Sequence, residues 1–221
     1  MMIKQFIVFA ALLLIPAVGA SCPISYDNDE ETTIITKVDS LSTRHGSTTV
    51  LQLPALPSKP TGTAFIVISK RDQKLSVYDR DAQGDTLMVA QYPCCLGKNK
   101  GNKVKRGDCR TPESPSGKPF KITMIQDAST WCHDFKDGRG NIKAYGHWFL
   151  RLQTPGHSGI GIHGSTNNEK SVPGRASEGC IRLLDQDIIT LKKHFAYIGM
   201  PVIIQAEEQP PFPWEERIRR H

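Results

Sequence analysis

His163 and Cys180 stand seventeen positions apart in GIHGSTNNEKSVPGRASEGCIRL (residues 161–183), each beside a glycine, with Arg182 two residues beyond the cysteine. A cysteine attacks carbonyl carbon as its thiolate, and a free thiol with a pKa of ~8.5 is mostly protonated at neutral pH. An imidazole beside it takes that proton and, once charged, stabilises the thiolate. Gly179 lets the chain turn tightly before the thiol, which would aim its amide and that of Cys180 at a developing oxyanion. Arg182 shares a face with Cys180 if the segment is extended, and there a guanidinium grips a substrate carboxylate in bidentate fashion.

Two plainer readings compete. A lone cysteine in an apolar stretch is ordinarily buried filler, and a lone histidine a satisfied structural residue. Zinc ligation by His157, His163 and Cys180 is the other, but an H-x5-H pair with a distant cysteine is not a tight ligand set, and H-E-x-x-H does not occur. No metal is expected. Paired carboxylates, a phosphate-cradling loop and a G-x-S-x-G elbow are absent as well.

The elements that must position these residues read as short strands. FIVISKRDQKLSVYD (65–79) is an apolar run, a polar turn at Lys70–Gln73 and a second run, the pattern of a β-hairpin. Thr86–Tyr92 follows, and then LGKNKGNKVKRGD, a basic loop rich in Gly and Asn. Phe120–Ile125, Phe149–Leu152, Gly159–His163 and Pro201–Gln205 are further strands, and Ile181 and Leu183 place another just after Cys180. Leu184, Ile188, Leu191 and Phe195 recur at helical spacing, which predicts a helix over Asp185–Phe195 with Asp185 as N-cap. Many short strands with one or two short helices indicate a mainly β fold, a sandwich or partly open barrel.

The chain has 221 residues, 38% hydrophobic and 23% charged, and carries a formal net charge of +6. That suits a soluble globular protein, and without a Lys/Arg run it predicts no nucleic-acid partner. Residues 1–21 have Lys4, an apolar run from Phe6 to Val18 and then small residues, the tripartite pattern of a secretory signal. Cleavage before Ser21 fits, and so does a lipobox before Cys22, which would carry lipid and tether the protein to a membrane. Either way the protein is expected to be exported to the periplasm or cell envelope. Residues 22–61 read as a flexible tether, 62–206 as the folded domain and 207–221 as a loose tail containing Pro and Arg. Outside the cytosol disulfides persist. Cys94, Cys95, Cys109 and Cys132 allow three pairings, and adjacent cysteines seldom bridge each other, so a bridge from Cys94 or Cys95 to Cys109 or Cys132 is favoured, with four free thiols as the alternative between which the sequence does not choose.

GIGIHG followed by S-x-G-C-I-R-L resembles the catalytic signature of the L,D-transpeptidase (YkuD-type) domains of peptidoglycan remodelling. The resemblance runs from about Ala64 to Gln205 and takes in KLSVYD, YPCCLGK with RTPESPSGKPFKI, AYGHWFLRL, and the Asp185–Phe195 helix with GMPVII. It implies Cys180 as nucleophile, His163 as base and the Gly164 carbonyl as the group that orients the imidazole. Arg182, Ser177, Gly179 and the Cys180 amide would hold substrate and oxyanion, while Tyr145 and Gly146 would line the donor pocket. The implied partners are peptidoglycan stem peptides, with no cofactor. Acyl transfer to an amine is the implied reaction. Transfer to water, an L,D-carboxypeptidase, and a non-catalytic peptidoglycan-binding lipoprotein are the alternatives. Two positions depart from the family: Glu178 stands where a histidine is common, and Cys94-Cys95 where small or aliphatic residues are usual. A carboxylate aimed at the sulfur would oppose the thiolate, so alternation through the turn is expected to point Glu178 away.

Overall fold

FIVIS forms β1 (Phe65–Ser69) and KLSVYDR forms β2 (Lys74–Arg80), paired antiparallel with Ile66 opposite Val77 and Ile68 opposite Leu75. Gln73 closes the turn between them at φ 54°. The structure, a computed structural model, describes residues 56–215. The expected signal segment, Cys22, the tether up to residue 55 and the last six residues of the tail lie outside the described residues.

β2 continues antiparallel into β3 (Thr86–Pro93), while the other edge of β1 takes β12 (Pro201–Gln205) in parallel, Ile66 beside Val202 and Ile68 beside Ile204. β12 pairs with β5 (Phe120–Asp127), β5 with β8 (Trp148–Leu152) and β8 with β9 (Gly161–His163), each antiparallel. β9 lies parallel to β11 (Ile181–Arg182), which meets β4 (Cys95–Gly97), and β4 carries β10 (Gly174–Ser177) at the edge. The result is one ten-stranded mixed sheet in the order β10-β4-β11-β9-β8-β5-β12-β1-β2-β3, with a separate hairpin of β6 (Cys132–Asp134) and β7 (Asn141–Lys143). A mainly β fold with little helix is therefore what the chain adopts. Ile66, Val67 and Ile68 of β1 are all buried, so this central strand is covered on both faces.

Helix α1 (Asp185–His194) buries Ile188 and Leu191 against β8 and β9. Asp185 is its first helical residue rather than its N-cap: Leu184 occupies that position, extended and without a side-chain cap. The Asp185 carboxylate instead accepts the Ser165 amide at 2.7 Å and the Thr166 hydroxyl. A cap would have served the helix, whereas here the carboxylate anchors the loop that leaves His163.

Lys70, in the first turn, is fully buried. Its ammonium lies 2.6 Å from Glu113 and 3.4 Å from Glu207, and it donates to the carbonyls of Gly101 and Thr111. Arg175 of β10 reaches the same Glu207 at 2.7 Å. A buried charge survives only when paired in this way, and the pairing fastens the basic loop and the edge strand β10 to the end of β1. Within the loop, the Asp108 carboxylate accepts Lys103 at 2.7 Å and the amides of Val104, Lys105 and Arg110. Burial alone would raise its pKa; the Lys103 ammonium and those amides outweigh burial and hold it well below the usual carboxylate range.

Two expectations are corrected. Residues 207–215 are docked, not loose: Trp214 meets the Phe65 ring edge-on at 6.3 Å, and Glu215 accepts from Tyr78, Gln205 and the Phe212 amide. Cys94, Cys95 and Cys109 are free thiols, so the expected bridge is not formed, although Cys132 is disulfide-bonded. Cys94 and Cys95 are sealed in the core at 0% exposure, whereas Cys109 stands at the rim of a cleft.

Candidate active site

β9 ends at His163 and β11 begins at Ile181, and the parallel ladder sets Ile181 beside Ile162 and Arg182 beside His163. Seventeen residues of separation thus become neighbouring strands, with Cys180 at the mouth of one and His163 at the end of the other. Both line a cleft of about 850 Å³ together with Arg182, Glu178 and Tyr145.

The Cys180 thiol donates to the Gly159 carbonyl at 3.3 Å. Burial pushes its pKa up. The Gly161 amide and the cations of Arg182 and Lys103 pull against burial, and the Glu178 carboxylate adds to it. His163 is 3% exposed, and its Nδ1–H donates to the Gly164 carbonyl at 2.7 Å, which leaves Nε2 as an acceptor. Burial, helped by the Arg182 charge, pushes the imidazole down to about 3. The resting pair at neutral pH is therefore a protonated thiol and a neutral imidazole, not an ion pair. The sulfur holds the proton and the ring is free to receive it.

The turn before the cysteine is held from within. Ser177, 1% exposed, accepts the Gly179 amide at 3.1 Å and donates to the Cys180 carbonyl at 2.6 Å. This corrects the expectation that the Gly179 amide faces an oxyanion and that Ser177 holds substrate: both are engaged in shaping the nucleophile turn. Gly179 has φ 134°, and a Cβ there would stand 2.8 Å from the Arg110 carbonyl, which only glycine avoids. Gly146 does not line the cleft either. It packs behind His163 against Gly164, where a Cβ on either residue would come within 2.7 Å of the other's Cα. The close approach lets the Gly164 amide donate to the Tyr145 carbonyl at 2.8 Å.

Around the imidazole stands an aromatic wall. Phe149 stacks on His163 at 5.5 Å and 12°, Tyr145 lies 4.9 Å away, and Trp131 contacts both Tyr145 and Phe149. Arg182 is 4% exposed, has its guanidinium 5.0 Å from the Phe135 ring centroid, and leaves its buried Nε without a partner. Glu178 remains at the cleft instead of pointing away, its carboxylate 3.5 Å from Nε2 of His133. Sequence reasoning missed Trp131, His133, Phe135 and Phe149. The aromatic cluster in TWCHDF (130–135) was the available signal, but its hairpin β6–β7 is too short to register as strands.

A family model, YkuD, described as the L,D-transpeptidase catalytic domain, matches residues 63–204. No curated protein matches the chain. Among solved structures it is similar to Bd1075 of Bdellovibrio bacteriovorus, 22% identical over 76% of this chain and 58% of that one, with a TM-score of 0.48. It is similar also to the helical cell shape determining protein Pgp2 from Campylobacter jejuni, 19% identical over 70% and 51% of the two chains, TM-score 0.46. A third is an L,D-transpeptidase from Mycobacterium smegmatis, 21% identical over 65% and 58%, TM-score 0.42. The chain spans only 51% to 58% of the lengths of these three proteins, and the likenesses bear on neither substrate nor reaction.

Proposed function

The chain belongs to the YkuD family of L,D-transpeptidase catalytic domains, and on that premise we propose that it is a cysteine acyltransferase acting on the tetrapeptide stems of peptidoglycan. The observation that carries this reading is the hydrogen bond from His163 Nδ1 to the Gly164 carbonyl, which leaves Nε2 as the open acceptor in the cleft that also holds the Cys180 thiol.

In this reading His163 Nε2 takes the thiol proton, and the sulfur attacks the carbonyl of the third, diamino-acid residue. The Cys180 amide stabilises the oxyanion, since the Gly179 amide is committed to Ser177. The C–N bond to the terminal D-alanine breaks, His163 protonates the leaving amine, and a thioester remains on Cys180. An amine then attacks the thioester carbon, the C–S bond breaks, and a proton returns through His163 to the sulfur. Arg182, buried and without an ion pair among the described residues, is assigned to a substrate carboxylate. The signal-like N-terminus supports a site of action in the cell envelope.

Mass spectrometry of the full chain with purified tetrapeptide muropeptides, wild type beside Cys180→Ala, tests the proposal. Loss of D-alanine that depends on Cys180, with accumulation of dimers, is expected. Loss without dimers makes the protein an L,D-carboxypeptidase. Absence of both product and acyl-enzyme from folded protein favours a binding module and defeats the mechanism.

A further inference from the structure

The cleft is electrically lopsided. Lys103, Arg106, Arg151 and Arg182 line it, and Glu178 is the sole acid among its described lining residues. Lys103 is neutralised by Asp108, and Arg151 donates to Gln126 while lying over the Phe149 ring, so neither draws on Glu178. The Glu178 side chain is 56% exposed, two residues from the nucleophile, and its only ion-pair neighbour among the described residues is His133 at 3.5 Å, too far for a tight pair. His133 in turn is packed edge-on against Phe135 at 4.5 Å and faces Tyr145 at 6.4 Å, so its ring is held beside the carboxylate at the cleft. Arg182 lines the same cleft, and its buried Nε has no partner.

We infer that Glu178, beside His133, is the acceptor-specificity residue of this site: a subsite for the primary ammonium of the incoming acyl acceptor. The inference rests on the acyltransferase reading above. A carboxylate this close to the sulfur works against the thiolate, and the cost has a return only if the carboxylate is used in the second half-reaction. Aliphatic amines with a pKa of ~10.4 arrive protonated at neutral pH, and Arg106, Arg151 and Arg182, the other unneutralised charges lining the cleft, would repel them. Glu178 draws the ammonium to within reach of the thioester. One proton is then lost to water, the amine nitrogen attacks the thioester carbon, the C–N bond forms and the C–S bond breaks, and the second proton passes through His163 to the Cys180 sulfur.

The test is how one acyl-enzyme divides between amine transfer and hydrolysis, a ratio from which any effect on acylation cancels. The full chain is acylated with tetrapeptide muropeptide and challenged with a stem tripeptide ending in lysine, which is cationic, or with hydroxylamine, which is neutral at pH 7. In Glu178→Gln the transfer-to-hydrolysis ratio for the lysine acceptor should fall about fivefold, through a higher acceptor KM at unchanged saturating rate, as expected for one solvent-exposed ion pair. The ratio for hydroxylamine should hold. Equal changes for both acceptors, or none for either, overturn the inference, as does a higher KM for the tetrapeptide donor alone. Hydrolysis as the only fate in wild type also overturns it while leaving the thioester chemistry standing. Failure to form any acyl-enzyme defeats the parent reading and this inference together.

Discussion

Asp185→Ala is expected to lower stability by about 3 kcal/mol, more than a lost helix cap would. The carboxylate accepts the amide of Ser165, a residue 0% exposed, and the hydroxyl of half-buried Thr166. Stranding the buried amide costs about 2 kcal/mol and losing the hydroxyl's charged partner about 1 kcal/mol. For a protein of this size that total lowers Tm by roughly 6–12 °C. Asp185→Asn keeps an acceptor for Ser165 and should cost about 1 kcal/mol. The contrast is diagnostic, because at an N-cap Asn equals Asp and Ala costs about 1 kcal/mol. Urea unfolding at pH 7, followed by tryptophan fluorescence and far-UV dichroism, reads all three proteins on one scale. The loop it anchors contains Gly164, so D-alanine release should fall in Asp185→Ala beyond any loss of folded protein. An alanine variant within 0.5 kcal/mol of wild type, or indistinguishable from the asparagine variant, would refute the role given to this carboxylate.

His163 sets a pH dependence of stability. Its folded value of about 3 lies below the ordinary histidine value of ~6.5, so the unfolded chain binds the proton first. Its contribution is complete above that ordinary value and is lost progressively as the pH falls toward the folded one; at pH 4.5 wild type should have lost on the order of 2–3 kcal/mol that His163→Gln does not lose, and parallel urea curves for the two proteins would disprove it. Gly179→Ala forces a side chain to φ 134° and its Cβ to 2.8 Å from the Arg110 carbonyl. It should cost about 2 kcal/mol and at least about tenfold in kcat for D-alanine release, because the strain falls on the turn carrying the sulfur; a variant with wild-type kcat would contradict that. Lys70→Met leaves Glu113 without its cation and Glu207 with Arg175 alone and should destabilise by about 3 kcal/mol. Adding Glu113→Gln should recover part of that, read as the coupling in a double-mutant cycle, and strict additivity would speak against the network.

What was legible in the sequence was local. The hairpin β1–β2, β8 and β12 came through as apolar runs of strand length, and α1 because its apolar residues recur at helical spacing. CLG, CHD, NIK and GRAS are strands of three or four residues, too short to show a period; CLG and GRAS pair with segments distant in the chain, CHD and NIK only with each other. Cys180 and His163 stood out because a thiol and an imidazole flanked by glycine suggest chemistry wherever they sit. The commitment of the Gly179 amide to Ser177 was hidden, since it depends on how the turn closes and not on which residues compose it. His133 was hidden for another reason: it reaches the cleft from a hairpin far upstream, and no spacing within the 161–183 stretch announces it. Lys70, placed in a polar turn by its neighbours, is buried because three later segments close over it.

The bond from the Cys180 thiol to the Gly159 carbonyl bears on how long the protein lasts in use. Peroxides and disulfides attack the thiolate, and the oxidation that ends in sulfinic and sulfonic acids starts from that form. A nucleophile held ready as an ion pair would be exposed to both between turnovers. Here the proton stays on sulfur until something displaces it, so the same setting that disfavours the thiolate preserves the thiol.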